Sequence, residues 1–159
     1  MQTNIYVTGK PSNSVSSEEL VDFSNFCLEL LLPKYKSKRV IDIEIVNTAQ
    51  DLDKDTLAEC SPEGEEDSKG RVYEFLIQIR REYSRRKTLS VLAHELVHVK
   101  QHLLGELKNS PDGIKYTVWQ GKRYDDTKIN YYDYPWEIEA YGREGGLLRR
   151  YLISINEKL

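Results

Sequence analysis

The five residues His94-Glu95-Leu96-Val97-His98 constrain what this chain can fold into more than any other stretch. On a helix, positions i and i+4 share a face about 6 Å apart along the axis, so two imidazoles at that spacing can hold one metal ion. The glutamate at i+1 points into the same cleft without ligating, where it can take a proton from water polarised by the metal. Such a helix needs one side in a core and another in a cleft. With His94 as origin and about 100° per residue, Leu92, Leu96, Val99 and Leu103 gather opposite it, flanked by Leu89 and Ala93. Glu95 and His98 share the remaining sector with Val91, Gln101 and His102. The spacing therefore predicts a helix over Lys87–Leu104 that turns its histidines away from the core. Two imidazoles that were merely hydrogen-bonded would leave Glu95 beside them unexplained.

Catalytic zinc sites take three protein ligands and keep a position open for water, so a third ligand is needed. His102 lies a full turn beyond His98 and cannot reach a metal held between 94 and 98 on a straight helix; it is expected as a cleft residue. The last helix, beginning near Trp136, offers a carboxylate. From Glu137, the residues Tyr141, Glu144, Leu148, Tyr151 and Leu152 fall within about 60°, whereas Glu139 falls with Arg143, Gly146, Arg149 and Arg150 on the polar side. Glu137 is thus expected on the inward face, where a carboxylate needs a partner and a metal supplies one. Glu139 is expected in solvent. Glu144 shares the inward face and could orient a ligating histidine.

Elsewhere the pattern is that of a small sheet with helices. Ser16-Ser17-Glu18-Glu19 reads as an N-cap and acidic first turn, followed by an apolar face that Pro33 ends. Val40–Val46 alternates strictly, with Ile41, Ile43 and Ile45 on one side. Thr56–Cys60 is expected as a short strand, residues 61–70 as a solubilising acidic loop without calcium-binding spacing, and Val72–Ile79 as a further alternating strand. Ile114–Tyr124 reads as a hairpin turning through Gln120-Gly121. The expected architecture is α+β, a minimal fold with a small, mostly antiparallel sheet and helices on one face.

Length and charge narrow the function. A chain of 159 residues without repeats suits a single domain over 1–159. The net charge of −3 argues against nucleic acid and anionic lipid as partners. Arg80-Arg81 and Arg85-Arg86-Lys87 read as a solvated connector. No apolar run reaches the roughly 18–20 residues of a membrane span, and the start lacks the features of a secretory signal. Cys27 and Cys60 have no framework spacing and are expected as reduced thiols, which places the protein in a cytoplasm.

The segments Leu92-Ala93-His94-Glu95-Leu96-Val97-His98-Val99-Lys100-Gln101 and Pro135-Trp136-Glu137-Ile138-Glu139-Ala140-Tyr141-Gly142-Arg143-Glu144 together resemble the small gluzincin-type metallopeptidases encoded by many tailed bacteriophages. They are also similar to the wider group that includes ImmA-like peptidases. There HExxH is completed by the glutamate of an Glu-x-x-Ala helix, which here is Glu137, with Ala140 as the alanine. The resemblance covers roughly residues 89–151. It implies a zincin-like fold with HExxH on a central helix and the third ligand on the C-terminal helix. It further implies one Zn²⁺ per chain, peptide-bond hydrolysis and, for a phage protein, the cytoplasm of the bacterial host. One position departs from the group: an acid or Asn often stands four residues after the ligand glutamate, and here that residue is Tyr141. The histidine-orienting role stays open among Glu144, Asp133 and a backbone carbonyl.

The expected activity is a zinc metallopeptidase acting on a protein or peptide, with His94, His98 and Glu137 as metal ligands and Glu95 as catalytic base. Tyr131, Tyr132, Tyr134, Tyr141 and His102 are candidates to stabilise the oxyanion. By analogy with zincins, Val72–Ile79 is the strand expected to pair with an extended substrate. The alternatives are a zinc-containing binding or regulatory domain without proteolysis, and a DNA-associated protease of the SprT-like kind.

Overall fold

The computed structural model describes residues 1–10, 12–47, 52–109 and 116–157, and its architecture is α+β. Its elements run β1 (Gln2–Thr8), α1 (Ser17–Leu31), β2 (Val40–Val46), β3 (Ala58–Glu63), β4 (Glu74–Ile79), α2 (Arg85–Leu103), β5 (Leu107–Asn109), β6 (Tyr116–Trp119), β7 (Lys122–Asp125), a 3-10 turn (Tyr131–Asp133) and α3 (Pro135–Ser154).

The first four strands form one sheet in the order β1-β2-β4-β3. Its β1–β2 and β2–β4 pairings are parallel and only β3–β4 is antiparallel. The expectation of a mostly antiparallel sheet is thereby corrected to a mixed one. A parallel pair needs a long crossover, and the segment carrying α1 supplies it between β1 and β2. The strand β1 escaped the sequence pattern because none of its residues is fully buried; Ile5 and Val7 only lean on the core.

On one sheet face Ile41, Ile43 and Ile45 from β2 meet Phe75, Ile77 and Ile79 from β4. Each such fully buried side chain contributes roughly 1.5–3 kcal/mol of transfer free energy. Phe23, Cys27 and Leu28 of α1 and Leu89, Leu92, Leu96 and Leu103 of α2 complete this core. The helices α1 and α2 begin on serine caps: Ser16 accepts from the Glu19 amide at 3.1 Å and Ser84 from the Lys87 amide at 3.3 Å.

The edge strand β3 runs through Ser61, Pro62 and Glu63, part of the segment read from sequence as a loop. Proline is tolerated there because an edge position can leave its missing N–H facing away from the ladder. In the rest of that segment the Asp67 carboxylate accepts from the amides of Lys69 and Arg71 and from the Tyr73 hydroxyl, so it is a tied turn. Arg80 is likewise no free connector. Its guanidinium donates to the carbonyls of Thr56, Leu52 and Asp53 and anchors the approach to β3. Arg85 joins Glu19 of α1 to Glu157 beyond α3.

The second sheet, β5-β6-β7, is antiparallel. The predicted hairpin appears as β6 and β7; Ile114 and Lys115 lie outside the described residues. Gln120 (φ 47°) and Gly121 (φ 81°) both have positive φ, as a two-residue turn of the I′ kind requires. Leu107 and Trp119 of this sheet enclose Trp136, which also stacks on Tyr134 at 4.6 Å. The small sheet thus props the first turn of α3. Among the described residues no helix is long and apolar enough to cross a membrane.

Candidate metal centre

The helix α2 passes between the sheet and α3, and its middle turns form the floor of a cavity of about 680 Å³. Ala58, Glu59 and Cys60 of β3 line one side; Tyr131, Tyr132 and Tyr141 line the other. His94, Glu95 and His98 reach the cavity from α2 and Glu137 from the first turn of α3. Glu137 follows Trp136 directly, so the aromatic cluster that fixes Trp136 also fixes where its carboxylate points.

His94 Nε2 lies 3.1 Å from Glu137 Oε2, and His98 Nε2 lies 3.3 Å from Glu137 Oε1. The donor atoms of these three buried residues all fall within 4.8 Å of one another. A four-coordinate divalent ion with bonds of about 2.0–2.1 Å sets its ligand atoms about 3.3 Å apart. Each histidine meets a Glu137 oxygen at that spacing, and two imidazole nitrogens with one carboxylate are ligands that transition metals accept. The buried group of His94, His98 and Glu137 could hold a metal ion.

The backs of both rings are held. His94 Nδ1 contacts Glu144 Oε2 at 2.9 Å, and His98 Nδ1 contacts Gln101 Oε1 at 2.8 Å. At the position where the resembling group often has an acid, Tyr141 sets its ring edge-on to His94 at 4.5 Å, and Glu144, one turn further, reaches the ring nitrogen instead. The Tyr131 hydroxyl donates to Glu137 Oε2 at 2.7 Å.

These contacts set the electrostatics. Burial acts to lower the His94 pKa, but its hydrogen bonds to the carboxylates of Glu137 and Glu144 outweigh it and raise it to about 9. For His98 burial is again opposed by Glu137, together with Glu95, and the net direction is upward. Burial pushes Glu137 up, yet its bonds to the two histidines bring it down to about 2. The ionised Glu137 and the protonated histidines thus stabilise one another. Glu95 is 6% exposed and is shifted upward, chiefly by burial and against the pull of both histidines.

Several expected participants stand elsewhere. His102 is buried against Phe75, with ring centroids 6.1 Å apart, and is absent from the cavity wall. Tyr134 gives its hydroxyl to the Asp126 carbonyl and stacks on Trp136. Asp133 is exposed on the 3-10 turn. Glu139, expected in solvent, is corrected: its carboxylate takes Lys100 Nζ at 2.6 Å and Gln101 Nε2 at 3.0 Å, with Arg143 Nε at 3.0 Å. The cause is Lys100, a cation buried on α2 that the wheel of α3 alone cannot reveal. Gln101 as a partner of His98 went unread, although a residue three positions along a helix is a neighbour by construction. The strand Val72–Ile79 is also corrected as the docking edge, because β4 lies between β2 and β3; the sheet edge beside the cavity is β3.

Comparison with protein-family models, with curated proteins and with solved structures gives no match for this chain.

Proposed function

We propose that this protein is a zinc-dependent metallopeptidase of the zincin type, holding one Zn²⁺ through His94, His98 and Glu137. The observation that carries the reading is the meeting of those three donor sets in a cavity that also contains a buried glutamate, Glu95, left out of the ligand group. A purely structural metal site closes its coordination with protein ligands and has no use for an adjacent base. When bound, zinc would polarise both a water molecule and the scissile carbonyl.

The roles of the protein groups follow from their places. Glu95 takes a proton from the attacking water as its oxygen bonds to the carbonyl carbon, and passes it to the amine as the C–N bond breaks. Glu144 and Gln101 hold the two imidazoles from behind. Tyr131, Tyr132 and Tyr141, all on the cavity wall, are the hydroxyls available to meet charge developing on the carbonyl oxygen. The edge strand β3 offers backbone groups to an extended peptide laid along the cavity, a binding mode that uses main-chain hydrogen bonds. The resemblance of residues 89–151 to phage-encoded gluzincins supports the same assignment.

The test is metal content and cleavage together. Wild-type protein should carry about one zinc per chain. Glu137→Ala should lose that metal, while Glu95→Gln should keep it. In a peptide library derived from a bacterial proteome, wild type should produce cleavages that a chelator abolishes and that Glu95→Gln lacks, a loss of at least about 10²-fold for removing a general base. Zinc uptake without any cleavage would favour a binding or regulatory domain. Absence of zinc from wild type, even after zinc is supplied, would remove the enzyme reading.

A further inference from the structure

Behind His98 lies a chain of buried and half-buried polar groups that reaches from α2 to α3. The Gln101 side chain is fully buried; its Oε1 meets His98 Nδ1 at 2.8 Å, and its Nε2 donates to the Trp136 carbonyl at 2.9 Å and to Glu139 Oε2 at 3.0 Å. Glu139 in turn accepts from Lys100 Nζ at 2.6 Å, and Lys100 also bonds Glu106 at 2.7 Å. The donors and acceptors leave one arrangement. A carbonyl and a carboxylate can only accept, so the Gln101 amide nitrogen must face Trp136 and Glu139. Its oxygen then faces His98, Nδ1 must carry a hydrogen, and Nε2 is the nitrogen left for a metal.

We propose that Gln101, held by Glu139 and the buried Lys100, is the positioning residue that fixes the orientation of His98 and ties it to the first turn of α3. The inference rests on the metal-site reading above. It gives the two histidines different supports. His94 is held directly by a carboxylate, Glu144, whereas His98 is held by a neutral amide whose orientation a carboxylate enforces. Because Gln101 also grips the carbonyl of Trp136, the residue before Glu137, it couples two of the three ligands. Moving the amide would displace His98 relative to Glu137 as well as release its ring. Partners of this kind, one bond removed from a metal, typically change affinity by roughly 10–100-fold when lost.

The experiment uses the full chain and two probes, zinc affinity by chelator competition and the visible absorption of the cobalt(II)-substituted protein. Gln101→Met keeps the length of the side chain and removes its hydrogen bonds. It should bind zinc roughly 10–100-fold more weakly than wild type and shift the cobalt bands, since the ligand field follows the His98 ring. Glu139→Gln, which leaves Gln101 in place but removes the charge and leaves one carbonyl oxygen where Lys100, Arg143 and Gln101 now share two, should weaken zinc in the same direction and by less. Circular dichroism of the metal-free variants reports whether each folds; if Gln101→Met does not, Glu139→Gln decides on the same two readings. A folded variant that binds zinc within about twofold of wild type, with unaltered cobalt bands, would overturn the positioning role while leaving the metal site standing. A wild-type chain that takes up neither ion would overturn the site reading and this inference with it.

Discussion

The two sides of α2 are equally shielded from water and built from opposite materials. Towards the sheet, Leu89, Leu92, Leu96, Val99 and Leu103 are fully buried among the isoleucines of β2 and β4. Towards α3 and the cavity, His94, Glu95, His98, Lys100 and Gln101 are each 9% exposed or less. The apolar side is held by shape and area, which many side chains can supply. The polar side is held by specific partners, each of which would be costly to leave alone. Stability and function are thus divided across one helix, with the catalytic candidates on the side that tolerates least.

The sharpest way to break that contrast is to remove the buried cation. Lys100 stands between Glu106 and Glu139 on the polar side. Lys100→Met keeps most of its bulk but leaves Glu106 without this cation and Glu139 with Arg143 as its remaining cationic partner. Deleting one partner of a fully buried ion pair costs about 3–5 kcal/mol; with both carboxylates partly exposed, urea unfolding of the metal-free protein should show a loss near the lower end of that range. On the sheet side a swap of comparable chemical modesty, Leu96→Met, should cost less than about 1.5 kcal/mol. Equal losses would mean that the polar side is as forgiving as the core. The same substitution should also loosen Glu139, so zinc affinity should fall with Lys100→Met and stay near wild type with Leu96→Met.

This division also explains what could be read from the sequence. Periodicity reports which face of an element is apolar, so α1, β2, α2 and α3 were legible almost to their ends. It also placed His94, Glu95 and His98 together and turned Glu137 inward. Pairing across long loops leaves no such trace, which is why the parallel register of β1 and β2 went unread and the sheet was expected to be mostly antiparallel. Burial of charge is equally invisible to a wheel. Lys100 looks like a surface residue until Glu106 and Glu139 are brought around it, and Glu139 looks solvated until Lys100 is seen opposite. His102 illustrates the reverse error. It shares the histidine sector of α2, but the helix runs on under the sheet and carries it past the cavity to Phe75.

His102 allows a second, smaller test of the same contrast, because it is a polar group enclosed on the apolar side. Burial, aided by the charge of His98 and opposed by a backbone hydrogen bond with Leu107, lowers its pKa from 6.5 to about 4. Between those values the unfolded chain binds a proton at His102 that the folded chain refuses, so stability falls as pH falls through that window. A shift of this size corresponds to a loss on the order of 3 kcal/mol between neutral pH and pH 4. His102→Gln removes the titration. The variant should therefore show a shallower fall in unfolding free energy from pH 6.5 to pH 4, whatever its absolute stability. Parallel pH profiles would mean that His102 titrates alike in the folded and unfolded chain.

The smallest effect is expected far from α2, in the hairpin whose sheet supports Trp136. Gln120 adopts φ 47°, a left-handed conformation that costs an ordinary side chain roughly 1–2 kcal/mol, while Gly121 beside it adopts φ 81° freely. Asn-Gly is the pair that a turn of this kind favours, because asparagine tolerates the left-handed region. Gln120→Asn should therefore raise stability by roughly 0.5–1 kcal/mol, read as a higher urea midpoint at unchanged slope. Zinc affinity is the second reading, and the two together separate support from chemistry. The β5–β7 sheet meets the start of α3 through Trp136 and the end of α2 through β5. A stiffer hairpin that leaves affinity unchanged would show that this sheet merely holds up α3. A change in affinity would instead mean that the position of Glu137 is set as much by the hairpin as by Gln101, and the polar side of α2 would no longer account for the site alone.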